Sequence, residues 1–175
     1  PAHRLAKRTG LNVRLAVRDE YLIVVILEIF AGPEKFQYFR VGPKIEAYFT
    51  SMGKAVLAFL PEEELSNYLK QTPLIAYTQN TITDQNRLKE DLVKSRQRGY
   101  AIDREESILG AYCVGAPIFD QSGTVNAAIS ISSGPELLDS DKFSDFTNQL
   151  IQTALEISHY FGYQPTLNRV SESNK

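Results

Sequence analysis

The sequence predicts an α+β fold built on an antiparallel sheet, and three observations carry that prediction. Two pairs of strand-like runs, Leu11–Val17 with Tyr21–Phe30 and Ile108–Phe119 with Thr124–Ser133, are joined by turns too short for a crossover helix. Between the pairs lie segments whose apolar residues recur at helical spacing. Strands and helices do not alternate regularly, as a parallel sheet would require.

The elements follow in chain order. Arg4–Thr9 reads as the end of a helix stopped by Gly10. Leu11–Val17 and Tyr21–Phe30 form an antiparallel pair turning at Arg18-Asp19-Glu20, and Phe36–Val41 is a third strand after the turn Ala31-Gly32-Pro33-Glu34. Thr50 or Ser51 caps a helix running to Leu60, and Pro61 opens another that reaches Leu69. Thr83 or Asp84 caps a third, with Leu88 and Leu92 four apart, ending before Gly99. Asp139 or Ser140 caps the last helix, whose apolar face is Phe143, Phe146, Leu150, Ala154, Ile157 and Phe161, with Gly162 as its stop. Asn168–Lys175 reads as a loose polar tail.

The second hairpin sorts its side chains by size. Closing it at Asp120-Gln121-Ser122-Gly123 pairs Phe119 with Thr124 and sets Cys113 opposite Ser130, Ala111 opposite Ser132 and Gly115 opposite Ala128. These six share one side, while Tyr112, Val114, Ile118, Val125, Ile129 and Ile131 take the other. The apolar side is packed core. The side of small residues, two hydroxyls and a thiol either leaves room for a ligand or lets a helix backbone approach closely, and both readings stay open.

Composition is that of an ordinary globular protein. The 175 residues are 43% hydrophobic and 23% charged, with a net charge of −2 that gives no general reason to expect nucleic-acid binding. Arg4, Lys7, Arg8, Arg14 and Arg18 all precede the first acid, Asp19, so the amino end is locally basic; a solvated helix face explains this more simply than a DNA contact. The single cysteine excludes an internal disulfide and fits a reducing, cytoplasmic compartment. No run approaches the ~20 apolar residues that span a bilayer, and no signal-peptide pattern is present. The first residue is Pro rather than Met, and an upstream segment is expected.

Catalytic signatures are scarce. There is no phosphate-binding loop, dinucleotide fingerprint, nucleophile elbow or zinc-protease motif, and the two histidines, His3 and His159, have no neighbour at metal-ligand spacing. No catalytic residue, metal or cofactor is therefore assigned. Cys113 would need a base or a positive neighbour to act as a nucleophile; no local motif supplies one, although His159 could approach it in space. A binding site is easier to assemble. The helix start at Ser51, Met52 and Gly53 offers amides to a carboxylate, Ser130, Ser132 and Cys113 offer a polar wall, and Asp103 can accept from a ligand hydroxyl. Asp103 serves equally well as a cap, or as a partner for Arg104 or Arg98.

Several segments in register resemble the effector-binding domain of IclR-type transcriptional regulators. They are Thr50-Ser51-Met52-Gly53-Lys54-Ala55-Val56-Leu57-Ala58, Thr81-Ile82-Thr83, the run from Arg98 through Asp103 to Glu106, the run from Gly110 through Cys113 to Asp120, and Ala127-Ala128-Ile129-Ser130-Ile131-Ser132. The likeness extends from about Leu5 to Gly162. It implies a GAF-like curved antiparallel sheet flanked by helices, with residues 1–10 the remnant of a linking helix, 11–165 the effector-binding domain and 166–175 a polar tail. It also implies a small-molecule effector, an organic acid, contacted at Ser51, Met52, Asp103, Cys113, Ser130 and Ser132. A homodimer or homotetramer follows from it too, as does DNA binding only through a winged helix-turn-helix domain absent from this chain. Three departures stand out: Met52 where many members are small, Tyr112 where Arg commonly precedes the cysteine, and Ser133 as an extra residue before Gly134-Pro135. A dimerisation module without ligand and an enzyme using Cys113 remain the alternatives.

Overall fold

The computed structural model describes residues 1–31, 41–139 and 141–165. Six antiparallel strands form one curled sheet in the order β3-β2-β1-β6-β5-β4: β1 Asn12–Asp19, β2 Leu22–Ile29, β3 Lys44–Glu46, β4 Ala101–Arg104, β5 Tyr112–Phe119 and β6 Val125–Ser133. The helices are α1 Ala2–Thr9, α2 Ser51–Leu57, α3 Glu62–Gln71, α4 Gln85–Arg98, the short α5 Glu136–Asp139, and α6 Phe143–Tyr160. The predicted fold class is the observed one.

The sheet separates two cores. On one face α1 and α6 bury Leu5, Ala6, Leu150 and Ala154 against Val13, Val114, Ile118, Ile129 and Ile131. On the other, α2 lies directly on the strands, and α3 and α4 close over it with Tyr68, Leu69, Leu88 and Leu92. Helix ends follow their sequence signals. The Thr50 hydroxyl accepts from the Gly53 amide, the Asp84 carboxylate accepts from the Arg87 amide, and Gly99 ends α4 at φ 82°, a conformation that suits a residue without Cβ.

The structure differs from the sequence reading at several places. In the second hairpin Cys113 pairs with Ser132, Gly115 with Ser130 and Ala128 with Pro117, two residues away from the expected register. The cause is the turn: the Asp120 carboxylate takes the Ser122 and Thr124 amides, Phe119 pairs with Val125, and Asn126 is left over as a bulge before Ile118 meets Ala127. A slip of two preserves the faces beyond the bulge, but the bulge carries Val125 into the α2-side core, not the side of Ile129. Ala111 lies before β5, in the loop that joins it to β4. The last helix begins at Phe143, because Glu136 accepts from the Ser133 hydroxyl and Gly134 amide and starts α5 first. β3 and β4 were unforeseen; their three and four residues are too few to show a period. The expected strand Phe36–Val41 lies, except for Val41, outside the described residues, as do Ser140 and the polar tail.

Candidate functional site

The side chains of one sheet face form two cross-strand rows beside the start of α2. Asn12, Ser132, Cys113 and Asp103 are paired in sequence across β1, β6, β5 and β4, and Glu28, Arg14, Ser130 and Gly115 make the neighbouring row across β2, β1, β6 and β5. Gly115 positions the helix over them. A Cβ there would lie 2.5 Å from the Ser51 carbonyl oxygen, so only glycine lets α2 settle at this depth. Gly53 is constrained likewise, since a Cβ would lie 2.1 Å from the Ala47 carbonyl oxygen. The close-approach reading of the small residues is thus realised at Gly115, and a cavity survives beside it.

That cavity is lined by Arg14, Ile23, Ile45, Thr50, Ser51, Met52, Asp103, Cys113 and Ser130. Its free volume is only about 10 Å³, room for roughly one water. Its walls are nonetheless polar. Arg14 is 3% exposed; its Nε donates to Glu28 Oε1 at 2.6 Å and its Nη1 to the Ser132 hydroxyl at 2.8 Å. The Ser51 and Ser130 hydroxyls, on residues each 2% exposed, make no hydrogen bond among the described residues. Of the helix-start amides, that of Gly53 is taken by Thr50, while those of Ser51 and Met52 have no carbonyl behind them in the helix.

Asp103 lines the cavity but already has work. Its carboxylate accepts from the Glu106 amide at 2.7 Å and the Ser107 hydroxyl at 2.6 Å, tying the loop after β4 to the strand. Of the structural roles the sequence left open, it is the cap, and it pairs with neither Arg104 nor Arg98. Burial pushes its pKa up to about 6, against the opposing pull of the Ser107 hydrogen bond and the Lys54 charge. Cys113 is a buried thiol, not an activated one. Burial drives its pKa well above the usual range, and the nearby Asp103 charge adds to the effect. His159 lies on α6, across the sheet from the cavity, and is exposed. No group of three or more His, Cys, Asp or Glu among the described residues could hold a metal.

The structure therefore brings Ser51, Met52, Asp103, Cys113 and Ser130 to one cavity, with Ser132 reaching it through Arg14 and Gly53 turned to the helix cap. Sequence reasoning missed Arg14, which was counted into a solvated basic end. The signal was present: Arg14 alternates with Asn12 and Ala16 inside a strand, which puts it on the same side as those two. It also missed Lys54, 1% exposed, whose Nζ donates to Glu106 Oε1 at 2.5 Å and Asp91 Oδ2 at 2.8 Å beneath the site.

Comparison with known proteins gives a consistent answer. The family profile described as the bacterial transcriptional regulator IclR C-terminal domain matches residues 1–159. The transcriptional repressor IclR of Escherichia coli K12 is 34% identical over 160 residues, covering 90% of this chain and 58% of the repressor. The crystal structure of Thermotoga maritima IclR superimposes with a TM-score of 0.89 at 40% identity, over 93% of this chain and 66% of that one. The inducer-binding domain of the Acinetobacter transcription factor PobR, solved as a double mutant with 3-hydroxybenzoic acid, gives 0.75 at 25% identity over 90% and 93%. The chain spans about three-fifths of the length of the curated relatives it matches. By sequence and by fold, the chain belongs to the IclR family of bacterial transcriptional regulators and corresponds to their C-terminal, effector-binding domain.

Proposed function

We propose that this domain senses a small carboxylate-bearing metabolite in the cavity between α2 and the polar rows of the sheet. The observation that carries the reading is the pair of hydroxyls, Ser51 and Ser130, on residues that line the cavity and make no side-chain hydrogen bond among the described residues, beside a buried guanidinium. Core positions rarely keep unsatisfied polar groups, because each costs about 1–3 kcal/mol. A carboxylate would satisfy both hydroxyls and the free amides of Ser51 and Met52, facing Arg14, while Asp103 accepts from a hydroxyl or hydrated keto group. Met52, the flexible wall of the cavity, would swing aside to admit it. Residues 1–10 would link the domain, 11–165, to a winged helix-turn-helix outside this chain, and binding would regulate operator affinity in a homodimer or homotetramer. The effect on DNA would then be about 5–150-fold, the usual span of such coupling.

One observation favours a second reading, a dimerisation module without ligand: the cavity is smaller than pyruvate. Thermal shift against pyruvate, glyoxylate, gluconate-type acids and hydroxybenzoates separates the two. An effector at ~100 times its dissociation constant stabilises by about 2.7 kcal/mol, a shift of several degrees. The shift is expected to vanish when Ser130→Ala and Ser132→Ala are combined. A ligand bound equally well by that double variant means the site is elsewhere, and no shift with any acid favours the dimerisation module.

A further inference from the structure

We propose that the groove between α4 and the β4 edge of the sheet is a second ligand site, built for a small organic polyanion such as a phosphate ester. The groove is separate from the cavity above and shares no lining residue with it. Its volume of about 600 Å³ suits a metabolite.

The helix supplies one wall as a single stripe: Arg87, Asp91, Lys94 and Arg98 fall at i, i+4, i+7 and i+11. Arg104 comes from β4 opposite, followed by Glu105 and Glu106. Counted by type alone, four cations face three acids. The partnerships are unequal, however. Asp91 and Glu106 both hold Lys54 from below. Glu105 takes the Gly110 amide at 2.7 Å, the Tyr112 hydroxyl at 3.1 Å and the Asn80 amide at 3.2 Å. Arg98 donates to the Tyr100 carbonyl and the Ser95 hydroxyl. The side chains of Arg87, Lys94 and Arg104 make no hydrogen bond or ion pair among the described residues, and all three are exposed.

Each acid of the groove holds a partner, Glu106 through Oε1 alone, and three of its cations hold none; with Lys54 counted, five cations face three acids, which leaves a concave surface with a net positive field. Arg98 feels the crowding: burial lowers its pKa first, Asp91 opposes this, and the Arg104 charge lowers it again. Glu106, raised to about 7 by burial, opposes an incoming anion less than a full carboxylate would. Two guanidinium forks and one ammonium match the several oxygens of a phosphate ester, which accepts bidentate bonds from arginine. Ile102 and Tyr112 offer apolar surface for the organic part.

Inorganic pyrophosphate is a suitable probe, titrated calorimetrically into the 175-residue chain at constant ionic strength. The expected result is saturable binding at one site per chain. It should weaken by about tenfold or more, the loss of at least one charge-assisted bond, when Arg87→Gln, Lys94→Gln and Arg104→Gln are combined. The melting temperature of that variant without pyrophosphate shows that it folds, since all three positions are exposed. Binding should be unchanged in the Ser130→Ala, Ser132→Ala double variant. A response that never saturates, equal affinity in the triple variant, or loss in the serine variant would each overturn the assignment. Displacement of pyrophosphate by lower molar concentrations of a random-sequence DNA duplex would also overturn it, and would make the face a nucleic-acid interface.

Discussion

The two faces of the sheet are made by the same strands and do opposite things. Toward α1 and α6 the strands present Val13, Val114, Ile118, Ile129 and Ile131, and the helices answer with Leu5 and Leu150. Polar groups there are few: the buried Ser158 hydroxyl accepts from the Phe119 amide and donates to the Ala154 carbonyl within α6. Toward α2 the same strands present Asn12, Arg14, Asp103, Cys113, Ser130 and Ser132, all buried. Burying such groups stabilises a fold less well than burying aliphatic ones and demands exact pairing. Residues one apart in a strand therefore meet different surroundings: the α6 side is apolar packing, while the α2 side buries polar groups beside its own apolar core, which under the function proposed above is stability given up for recognition.

The largest effect expected on the α2 face comes from Arg14→Met. Arg14 and Glu28 are a buried pair, with side chains 3% and 7% exposed. Removing one partner leaves the other charge alone in the interior, which costs about 3–5 kcal/mol. Urea unfolding should show that loss, and adding Glu28→Gln should recover part of it by removing the stranded charge. If Arg14→Met cost no more than an exposed substitution, the polar face would not be as tightly bound as the pairing indicates.

The second effect is on pH dependence. Burial raises Asp103 from 3.8 to about 6 and Glu106 from 4.5 to about 7. Their protonated forms are favoured in the folded state, so the stability they contribute is complete below about pH 4. It is lost as pH rises through 6 and 7, by up to about 3 kcal/mol per group. The wild-type chain should therefore unfold at lower urea at pH 8 than at pH 5, and Glu106→Gln should flatten much of that slope. A wild-type curve that instead rises across the interval, with Glu106→Gln unchanged, would mean that the Lys54 and Ser107 partners outweigh burial at these acids. The α6 face offers no comparable titration.

The contrast between faces also explains what the sequence could show. Alternation is a property of parity, so the split of the β5–β6 hairpin into an apolar and a small-residue side survived a register slip of two. It failed at Val125, beyond the Asn126 bulge, and at Ala111, which lies in the loop before β5. A bulge is set by how the Asp120 carboxylate captures the amides of the turn, and nothing in the spacing of apolar residues records it. Ser51, Met52, Asp103, Cys113 and Ser130 were found because they sit on motifs or alternating strands. Arg14 was missed because charge was tallied along the chain and not by face. Lys54 and Glu106 meet across 52 residues, a pairing no local pattern contains. The size of the cavity was equally hidden, since it depends on how far Gly115 lets the Ser51 backbone descend.

The smallest effect is the sharpest test of the division, because it uses neighbours in one strand. Ile129 is fully buried against the α6 side, and its truncation to Ala removes packing that the rigid sheet and helices cannot refill, for about 2–5 kcal/mol. Ser130, 2% exposed on the α2 side, has a hydroxyl without a partner, so Ser130→Ala deletes an unsatisfied group and should change stability by no more than about 0.5 kcal/mol. Burial alone would rank the two positions together. Recognition separates them: an acid found by thermal shift should bind Ile129→Ala at permissive temperature with near wild-type affinity and bind Ser130→Ala more weakly. Equal destabilisation by both, or an effector indifferent to Ser130, would mean that the hydroxyl serves the fold after all and that the two faces share one task.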